Sequence, residues 1–371
     1  MRITRRTLLA GGMCSLAGAQ SSQDEWKGVE RVVAVGDIHG DRDALAAVLQ
    51  MAGIVDDSGR WVGGRSHVVQ IGDVPARGPQ TREAFDLLMR LEPEALSAGG
   101  KLHPLIGNHD AGNMYGDLRN IQPEEYGGFR EEGSEERLAK AFEEELASLR
   151  KAGQFPTRAE DFEYFKKTWF ERHPPGFVEH RAAFGPAGKY GSWIRRNQAV
   201  IRINDTLFLH GGISPKYARK TRADMNSTIQ WELQDPSRLP PGMSTDPLGP
   251  LWYRGLAEDE EKPLEAHLQA VLRFHGVNRM VIGHAVTRTA ILPRFGGRVI
   301  DIDLGLSRFY GRPPACLVIE GGPPYVLHRG ARIPLPGAKP GDFEDYCRAV
   351  IAADVQPSPV EKLLQNGGKR R

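Results

Sequence analysis

The stretch VVAVGDIHGDRDALAAVLQ, residues 32–50, decides the fold. It opens with an apolar run that predicts a buried strand, and residues 41–51 have the apolar spacing of an amphipathic helix. Between the two elements, Asp37 and His39 stand two residues apart, where the strand ends. Ionisable groups seldom end a buried strand without a partner, so this junction predicts a functional site.

The same strand-then-helix pattern recurs along the chain. HVVQI at 67–71 predicts a second strand, followed by a helix over about 79–91. KLHPLI at 101–106 predicts a third strand. This alternation indicates the α/β class, with a parallel sheet covered by helices.

The second half of the chain contains further strand patterns. AVIRINDTLFLHGG at 199–212 predicts a hairpin that turns at Asn204 and Asp205. A second sheet is expected from three later runs: RMVIGH at 279–284, RVIDID at 298–303 and ACLVIEGGPPYVLHR at 315–329.

Composition changes mark the expected domain limits. EEGSEERLAKAFEEELASLRKAG is charged and helix-favouring, so it predicts a helical insertion in the main domain. We expect an export signal at 1–19, a linker at 20–30, a main domain at 31–330 with the insertion at about 113–195, and a C-terminal helix with a polar tail at 331–371.

The N-terminal segment has the order of features found in export signals. It carries three arginines and no acidic residue before a weakly apolar run that ends in small residues. Arg5 and Arg6, followed by Thr7 and two leucines, resemble a twin-arginine signal, which exports folded proteins. We therefore expect an exported, periplasmic protein.

Charge and hydropathy exclude several partner classes. The 49 basic and 47 acidic side chains nearly balance, so no strong field is available to recruit nucleic acid. After the N-terminal segment no apolar run is long enough to span a bilayer, and no stable membrane insertion is expected. Cys316 and Cys347 could pair in an oxidising compartment or remain buried thiols, and both options stay open.

Ionisable or amide side chains follow several of the predicted strands. In a parallel sheet the carboxyl ends of the strands lie along one edge, so these side chains should converge. The set comprises Asp37, His39, Asp73, Asn108 and His109 after the first three strands, and His210 and His284 after two later ones.

Carboxylate, imidazole and amide groups are ligands for divalent metals, and no thiolate is placed to compete. These groups are more numerous than one ion needs. A two-metal site accommodates them, with one carboxylate bridging the ions. Asp73 is central in the order and is the predicted bridge.

The order GDIHG, GD, GNHD, HGG and GH resembles that of the calcineurin-like metallophosphoesterases, and within them the phosphoprotein phosphatases. Three longer motifs are similar to those of the bacterial Shewanella-like protein phosphatases: GNHDAGNMYGDLRNI at 107–121, PLWYRG at 250–255 and VIDIDLGLSRFYG at 299–311. The resemblance implies a two-sheet β-sandwich flanked by helices, with the metals at one sheet edge.

The resemblance also implies roles for individual residues. One metal would be held by Asp37, His39 and Asp73, and the other by Asp73, Asn108, His210 and His284. His109 would act as general acid, while Arg77 and Arg254 would bind the phosphate. Two divalent ions are implied, with manganese expected and iron or zinc also compatible with these ligands.

The implied activity is that of a phosphomonoesterase in which a metal-bound hydroxide attacks the phosphorus. The substrate would be a phosphorylated protein or a small phosphoester, with phosphotyrosine favoured over phosphoserine or phosphothreonine. Two alternatives are a hydrolase of dinucleoside polyphosphates or phosphodiesters, and a metal-binding protein with weak catalysis. One sequence leaves the oligomeric state open.

The chain departs from the family pattern at one position. The family motif GD-x-x-DRG is GDVPARG here, so Ala76 replaces an aspartate that orients the catalytic histidine in the family. Without that carboxylate, His109 should be less firmly oriented and its pKa lower. Asp110 and Asp303 are possible substitutes. The insertion is expected to shape the substrate rim, with Trp169, Phe170 and Tyr190 more typical of core packing than of substrate contact.

Overall fold

The computed structural model describes residues 23–365, apart from 235–241, 288, 312–313 and 338. Its strands are β1 (Glu25–Trp26), β2 (Arg31–Val35), β3 (His67–Gln70), β4 (Lys101–Pro104), β5 (Val200–Ile203), β6 (Thr206–Leu209), β7 (Arg279–Ile282), β8 (Leu292–Arg294), β9 (Val299–Asp301), β10 (Ala315–Glu320), β11 (Tyr325–His328) and β12 (Ala331–Pro334). Its α-helices are α1 (Arg42–Met51), α2 (Thr81–Ser97), α3 (Asn108–Tyr115), α4 (Pro123–Gly127), α5 (Ser134–Lys151), α6 (Ala159–Arg172), α7 (Phe177–Phe184), α8 (Lys189–Ile194), α9 (Arg222–Glu232), α10 (Gly255–Glu258), α11 (Glu261–His275), α12 (Asp342–Ala353) and α13 (Val360–Gln365).

In the part of the chain that the structure describes, the strands form two six-stranded sheets. Their orders are β12-β11-β10-β2-β3-β4 and β1-β5-β6-β7-β9-β8. β2, β3 and β4 pair in parallel, as predicted from the alternation of strands and helices. β5 and β6 form the predicted antiparallel hairpin. Both sheets are mixed and flanked by helices, so the predicted two-sheet α/β architecture is confirmed.

The assignment of the later strands to a second sheet is only partly right. β7 and β9 lie in the second sheet, but β10 and β11 belong to the first. β10 pairs antiparallel with β2, with Leu317 opposite Ala34. The physical reason is that β2 has β3 on one side only, and the apolar β10 completes its other edge with backbone hydrogen bonds.

The sheets extend beyond both limits expected for the main domain. β1 lies in the segment expected to be a linker, and it pairs in parallel with β5. β12 lies in the segment expected to be a tail, and it pairs with β11. The expected export signal lies outside the described residues.

The core is one large apolar cluster that contains residues of both sheets. The insertion adds a smaller cluster of its own around Phe142 and Trp169. Cys316 and Cys347 are both buried and free, so no disulfide joins them. Among the described helices, none combines the length and the apolar character needed to cross a bilayer.

Candidate active site

The site lies where the carboxyl ends of parallel strands from both sheets approach one another. Asp37 follows β2, Asp73 follows β3, His210 follows β6 and His284 follows β7. His284 and Asp73 have positive φ, of 68° and 56°, and His39 has a φ of 49°. Non-glycine residues rarely adopt this conformation, and when they do they concentrate at functional sites. The chain therefore bends sharply where it presents these side chains.

Asp73 occupies the centre, between two groups of potential metal ligands. Its Oδ2 lies 4.0 Å from His39 Nε2 and 3.8 Å from His109 Nε2. Its Oδ1 lies 3.3 Å from His210 Nε2. His284 completes the second group, whose candidate ligand atoms all lie within 4.8 Å of one another. A carboxylate with one oxygen towards each group has the arrangement of a bridging ligand.

The other two predicted ligands lie beside these groups. Asp37 Oδ2 is 3.9 Å from His39 Nε2, and its Oδ1 faces the backbone N–H of His284 at 3.4 Å. Asn108 Oδ1 is 2.9 Å from His210 Nε2. The structure thus brings all six sequence-predicted ligands together, and none is more than 5% exposed.

Backbone carbonyls determine which imidazole nitrogens face the centre. His39 Nδ1 lies 3.3 Å from the carbonyl of Pro75, and His210 Nδ1 lies 3.1 Å from that of Ile71. A carbonyl can only accept a hydrogen bond, so each Nδ1 carries a proton and donates it. Each ring then presents Nε2 to the space beside Asp73, the orientation that metal-binding histidines have.

Burial and mutual proximity shift the pKa values in the site. Burial opposes ionisation of Asp73, but His210 and His109 outweigh it and hold its pKa well below the usual range. Burial raises the pKa of Asp37 well above the usual range, and the nearby carboxylate of Asp303 adds to the effect. Burial also lowers the pKa of His284, which favours its neutral, metal-binding form.

The donors present fit divalent metals. Among the described residues, Asp37 Oδ2 and His284 Nε2 are buried without a hydrogen-bond partner. Buried polar atoms almost always have one, so each calls for a ligand such as a cation. A cation would also relieve the repulsion that raises the pKa of Asp37. Carboxylate, imidazole and amide donors suit manganese, iron and zinc alike.

Arg77 lies over the first group of potential ligands. Its Nη1 is 3.0 Å from His39 Nε2, and its Nη2 is 3.3 Å from His109 Nε2. It also donates to the hydroxyl of Tyr310. Arg254 lies by the second group, where its Nη1 donates to the carbonyl of His284 at 2.7 Å. The two predicted phosphate-binding arginines therefore lie beside different groups of potential ligands.

His109 faces the same space and is largely buried. Its pKa is lowered by burial and by Arg77, against the opposing effect of Asp73. Asp110 does not substitute for the missing carboxylate, because its Oδ2 accepts from the backbone N–H groups of Asp73 and Gly107, both at 2.8 Å. Asp303 does not substitute either, because it accepts from Gly305 N–H at 2.8 Å and lies by Asp37.

Two residues of the site were missed by the sequence reasoning. Tyr310 touches Arg77, and its only signal was its place in the VIDIDLGLSRFYG motif. Glu125 is fully buried, and its Oε1 accepts from Ala76 N–H at 3.2 Å. It carried no signal, because its segment contains many glutamates and resembles a solvated helix.

Comparison with known proteins identifies the family. Residues 30–300 match the calcineurin-like phosphoesterases. The chain belongs to this family. This calcineurin-like phosphoesterase is 27% identical over 299 residues to Shewanella-like protein phosphatase 2 of Arabidopsis thaliana, covering 77% of this chain and 74% of the plant protein. It is 21% identical over 301 residues to Shewanella-like protein phosphatase 1 of Plasmodium berghei, covering 78% and 70%.

A solved structure supports the same assignment. The cold-active protein-tyrosine phosphatase of a psychrophilic Shewanella species superposes on this phosphoesterase with a TM-score of 0.63. The two chains are 26% identical, and the match covers 84% of this chain and 82% of the other. The family and these relatives make the chain a metal-dependent phosphatase.

Proposed function

We propose that this phosphatase hydrolyses phosphate monoesters of proteins and favours phosphotyrosine over phosphoserine and phosphothreonine. The observation that carries the proposal is the position of Asp73 between two groups of imidazoles, with Arg77 over one of them. The preference for tyrosine is supported by the similar Shewanella structure, which is named a protein-tyrosine phosphatase.

The metal ligands divide between the two sides of Asp73. Asp37, His39 and Asp73 would hold one ion, and Asp73, Asn108, His210 and His284 would hold the other. Manganese is the proposed metal, and iron and zinc suit the same donors. Divalent ions in such a pair activate water as a nucleophile and neutralise the charge of phosphate oxygens.

The remaining residues bind the substrate and move a proton. Arg77 and Arg254 bind phosphate oxygens, since the planar guanidinium can form two parallel hydrogen bonds to them. His109 Nε2 donates a proton to the leaving oxygen as the ester bond breaks. Burial lowers the pKa of His109, but an anionic phosphate beside it favours the protonated ring.

A metal-dependent substrate panel tests the proposal. The purified protein is stripped with EDTA and reloaded with Mn²⁺. It is then assayed on p-nitrophenyl phosphate, on phosphotyrosine and phosphoserine peptides of one sequence, and on a dinucleoside tetraphosphate. We expect Mn²⁺ to restore monoester hydrolysis, with the higher kcat/KM on the phosphotyrosine peptide. Asp73→Asn should lose bound metal and at least about a hundredfold in kcat, because one change disturbs both ions.

Each competing function has its own result in the same panel. Faster hydrolysis of the dinucleoside tetraphosphate than of any monoester would replace the proposal with a polyphosphate hydrolase. Bound metal without turnover of any ester would indicate a binding protein.

We also infer export to the periplasm. The support is the sequence of the first 19 residues, with Arg5 and Arg6 ahead of a weakly apolar run. Fractionation of bacteria that express the full chain checks this inference. Recovery of the uncleaved protein in the cytoplasm alone would contradict it.

A further inference from the structure

A cleft of about 300 Å³ opens directly beside Arg77. Four segments line it: Asp41 at the start of α1, the loop that carries Arg77, the insertion at Gln122 and Glu124, and the loop at residues 307–309. Arg77 borders both the cleft and the groups around Asp73. The organic part of a phosphate ester bound by Arg77 can therefore extend into the cleft.

Phe309 gives the cleft an aromatic wall. Its side chain is 57% exposed, and the Arg77 guanidinium lies 5.9 Å from the centre of its ring. Tyr310, next in the chain, meets Phe309 edge-on at 5.0 Å and accepts a hydrogen bond from Arg77. A phosphate bound by Arg77 would therefore lie close to the exposed phenyl ring of Phe309.

The loop that carries Phe309 is held in place by polar contacts. The Arg308 backbone N–H donates to Asp41 Oδ2 at 2.7 Å, and the Arg308 guanidinium donates to Asp43 at 2.7 Å. Gly305 has a φ of 68°, and a Cβ there would lie 2.6 Å from the Tyr310 ring. The loop is thus fixed on α1 and presents Phe309 without the ordering cost of a free loop.

Tyr190 and Trp169 of the insertion do not fulfil this role. Tyr190 is 2% exposed and stacks on Phe85 at 5.0 Å, while Trp169 packs against Phe142. These contacts place them in the cores, as their sequence pattern indicated.

We infer that the cleft beside Arg77 is the site for the ring of an aryl phosphate, in particular the phosphotyrosine side chain, with Phe309 as its stacking surface. The inference rests on the proposed function and assigns the part of the substrate beyond the phosphate. A cavity of roughly 150 Å³ holds a benzene molecule, so the volume is sufficient. Aromatic pairs are most stable with ring centres about 4.5–7 Å apart, which a ring beside Phe309 can adopt.

The test compares two unreactive phosphonates as competitive inhibitors of the Mn²⁺-loaded full chain. Phenylphosphonate carries a ring, whereas methylphosphonate presents the same anionic group without one. We expect Phe309→Ala to raise the Ki of phenylphosphonate about threefold to tenfold relative to that of methylphosphonate. Phe309→Leu should give a smaller change, since it keeps an apolar side chain. Phe274→Ala removes another exposed phenyl ring, away from the cleft, and should leave the ratio unchanged.

The same variants are assayed on the paired phosphotyrosine and phosphoserine peptides. We expect Phe309→Ala to lower the ratio of kcat/KM for phosphotyrosine over phosphoserine by a similar factor. Unchanged Ki and kcat/KM ratios in an active Phe309→Ala enzyme would overturn the ring site alone. A wild-type enzyme that hydrolyses neither peptide would overturn the proposed function, and the ring site with it.

Discussion

Ala76 is buried and has a left-handed backbone conformation, with a φ of 74°. Alanine is strained there, whereas aspartate and asparagine tolerate the conformation better. In the described part of the chain, the carboxylate paired with the His109 ring is Asp73, at 3.8 Å, which is too long for a hydrogen bond. His109 therefore lacks the carboxylate that orients its counterpart in the phosphoprotein phosphatases.

Ala76→Asp should restore part of that orientation. An alkyl phosphate expels a strongly basic alkoxide that needs a proton, whereas a phenolate leaves without one. We expect kcat to rise about threefold to tenfold on an alkyl phosphate and much less on an aryl phosphate, measured with Mn²⁺ at neutral pH.

Ala76→Asn is the matched control, because asparagine shares the backbone preference of aspartate but carries no charge. It should give no selective gain on the alkyl ester. Equal gains on both esters, or a gain with asparagine, would show that relief of backbone strain is the cause.

The potential metal ligands could be predicted because they follow apolar strands, and the strand ends in parallel sheets share an edge. Asp37, Asp73 and His284 illustrate this. Tyr310 and Phe309 could not be predicted, because they lie on an irregular loop whose path depends on contacts with Asp41 and Asp43 from a distant part of the chain.

At the scale of elements, local patterns predicted most strands and helices but not all of their pairings or ends. α2 was expected to end near residue 91, whereas it continues through Pro93 to Ser97. The residue before a proline disfavours helical conformation, which is why the pattern indicated an earlier end. Tertiary packing of Leu91 and Ala95 in the core overrides that local preference.

The insertion also contributes directly to the loop that carries Arg77. Glu125 of α4 accepts from Ala76 N–H at 3.2 Å and from the Thr81 hydroxyl at 2.8 Å, and the Asn120 carbonyl accepts from Arg77 N–H at 3.1 Å. Arg77, like Ala76, has a positive φ, of 69°. Positive φ costs roughly 1–2 kcal/mol for a non-glycine residue, so the loop depends on these hydrogen bonds to hold its shape.

Glu125→Ala should therefore weaken phosphate binding without affecting metal binding. We expect KM for p-nitrophenyl phosphate and Ki for inorganic phosphate to rise about tenfold, with kcat and metal content much less affected. The free energy of unfolding should fall by about 1–3 kcal/mol, because a buried N–H and a buried hydroxyl lose their acceptor.

Glu125→Gln provides the rescue, since its amide oxygen can accept both hydrogen bonds. We expect it to keep KM and Ki near the wild-type values. If Glu125→Ala lowers stability but leaves KM and Ki unchanged, Glu125 supports the fold and does not position Arg77.

At the scale of the whole molecule, several buried carboxyl groups lie close together around Asp73. The pKa of Asp110 is raised to about 7 by burial and by the charge of Asp73, and burial raises that of Asp303 to about 6. An acid with a raised pKa in the folded state binds more protons there than in the unfolded chain. The free energy of unfolding therefore falls as pH rises between about 4 and 7, because the unfolded chain ionises these two groups more readily than the folded protein does. Bound cations would offset this loss, because they neutralise the ionised carboxylates.

Metal binding should therefore stabilise the whole protein, and more so at higher pH. At a Mn²⁺ concentration about a hundred times Kd, binding to the folded state alone contributes about 2.7 kcal/mol per ion, which corresponds to several degrees in Tm. We expect the difference in Tm between Mn²⁺-loaded and EDTA-treated protein to grow from pH 5 to pH 8, because protons compete for the same ligands. Asp73→Asn should show little difference at either pH. A Tm difference that is independent of pH, or that persists in Asp73→Asn, would place the stabilising ions elsewhere on the protein.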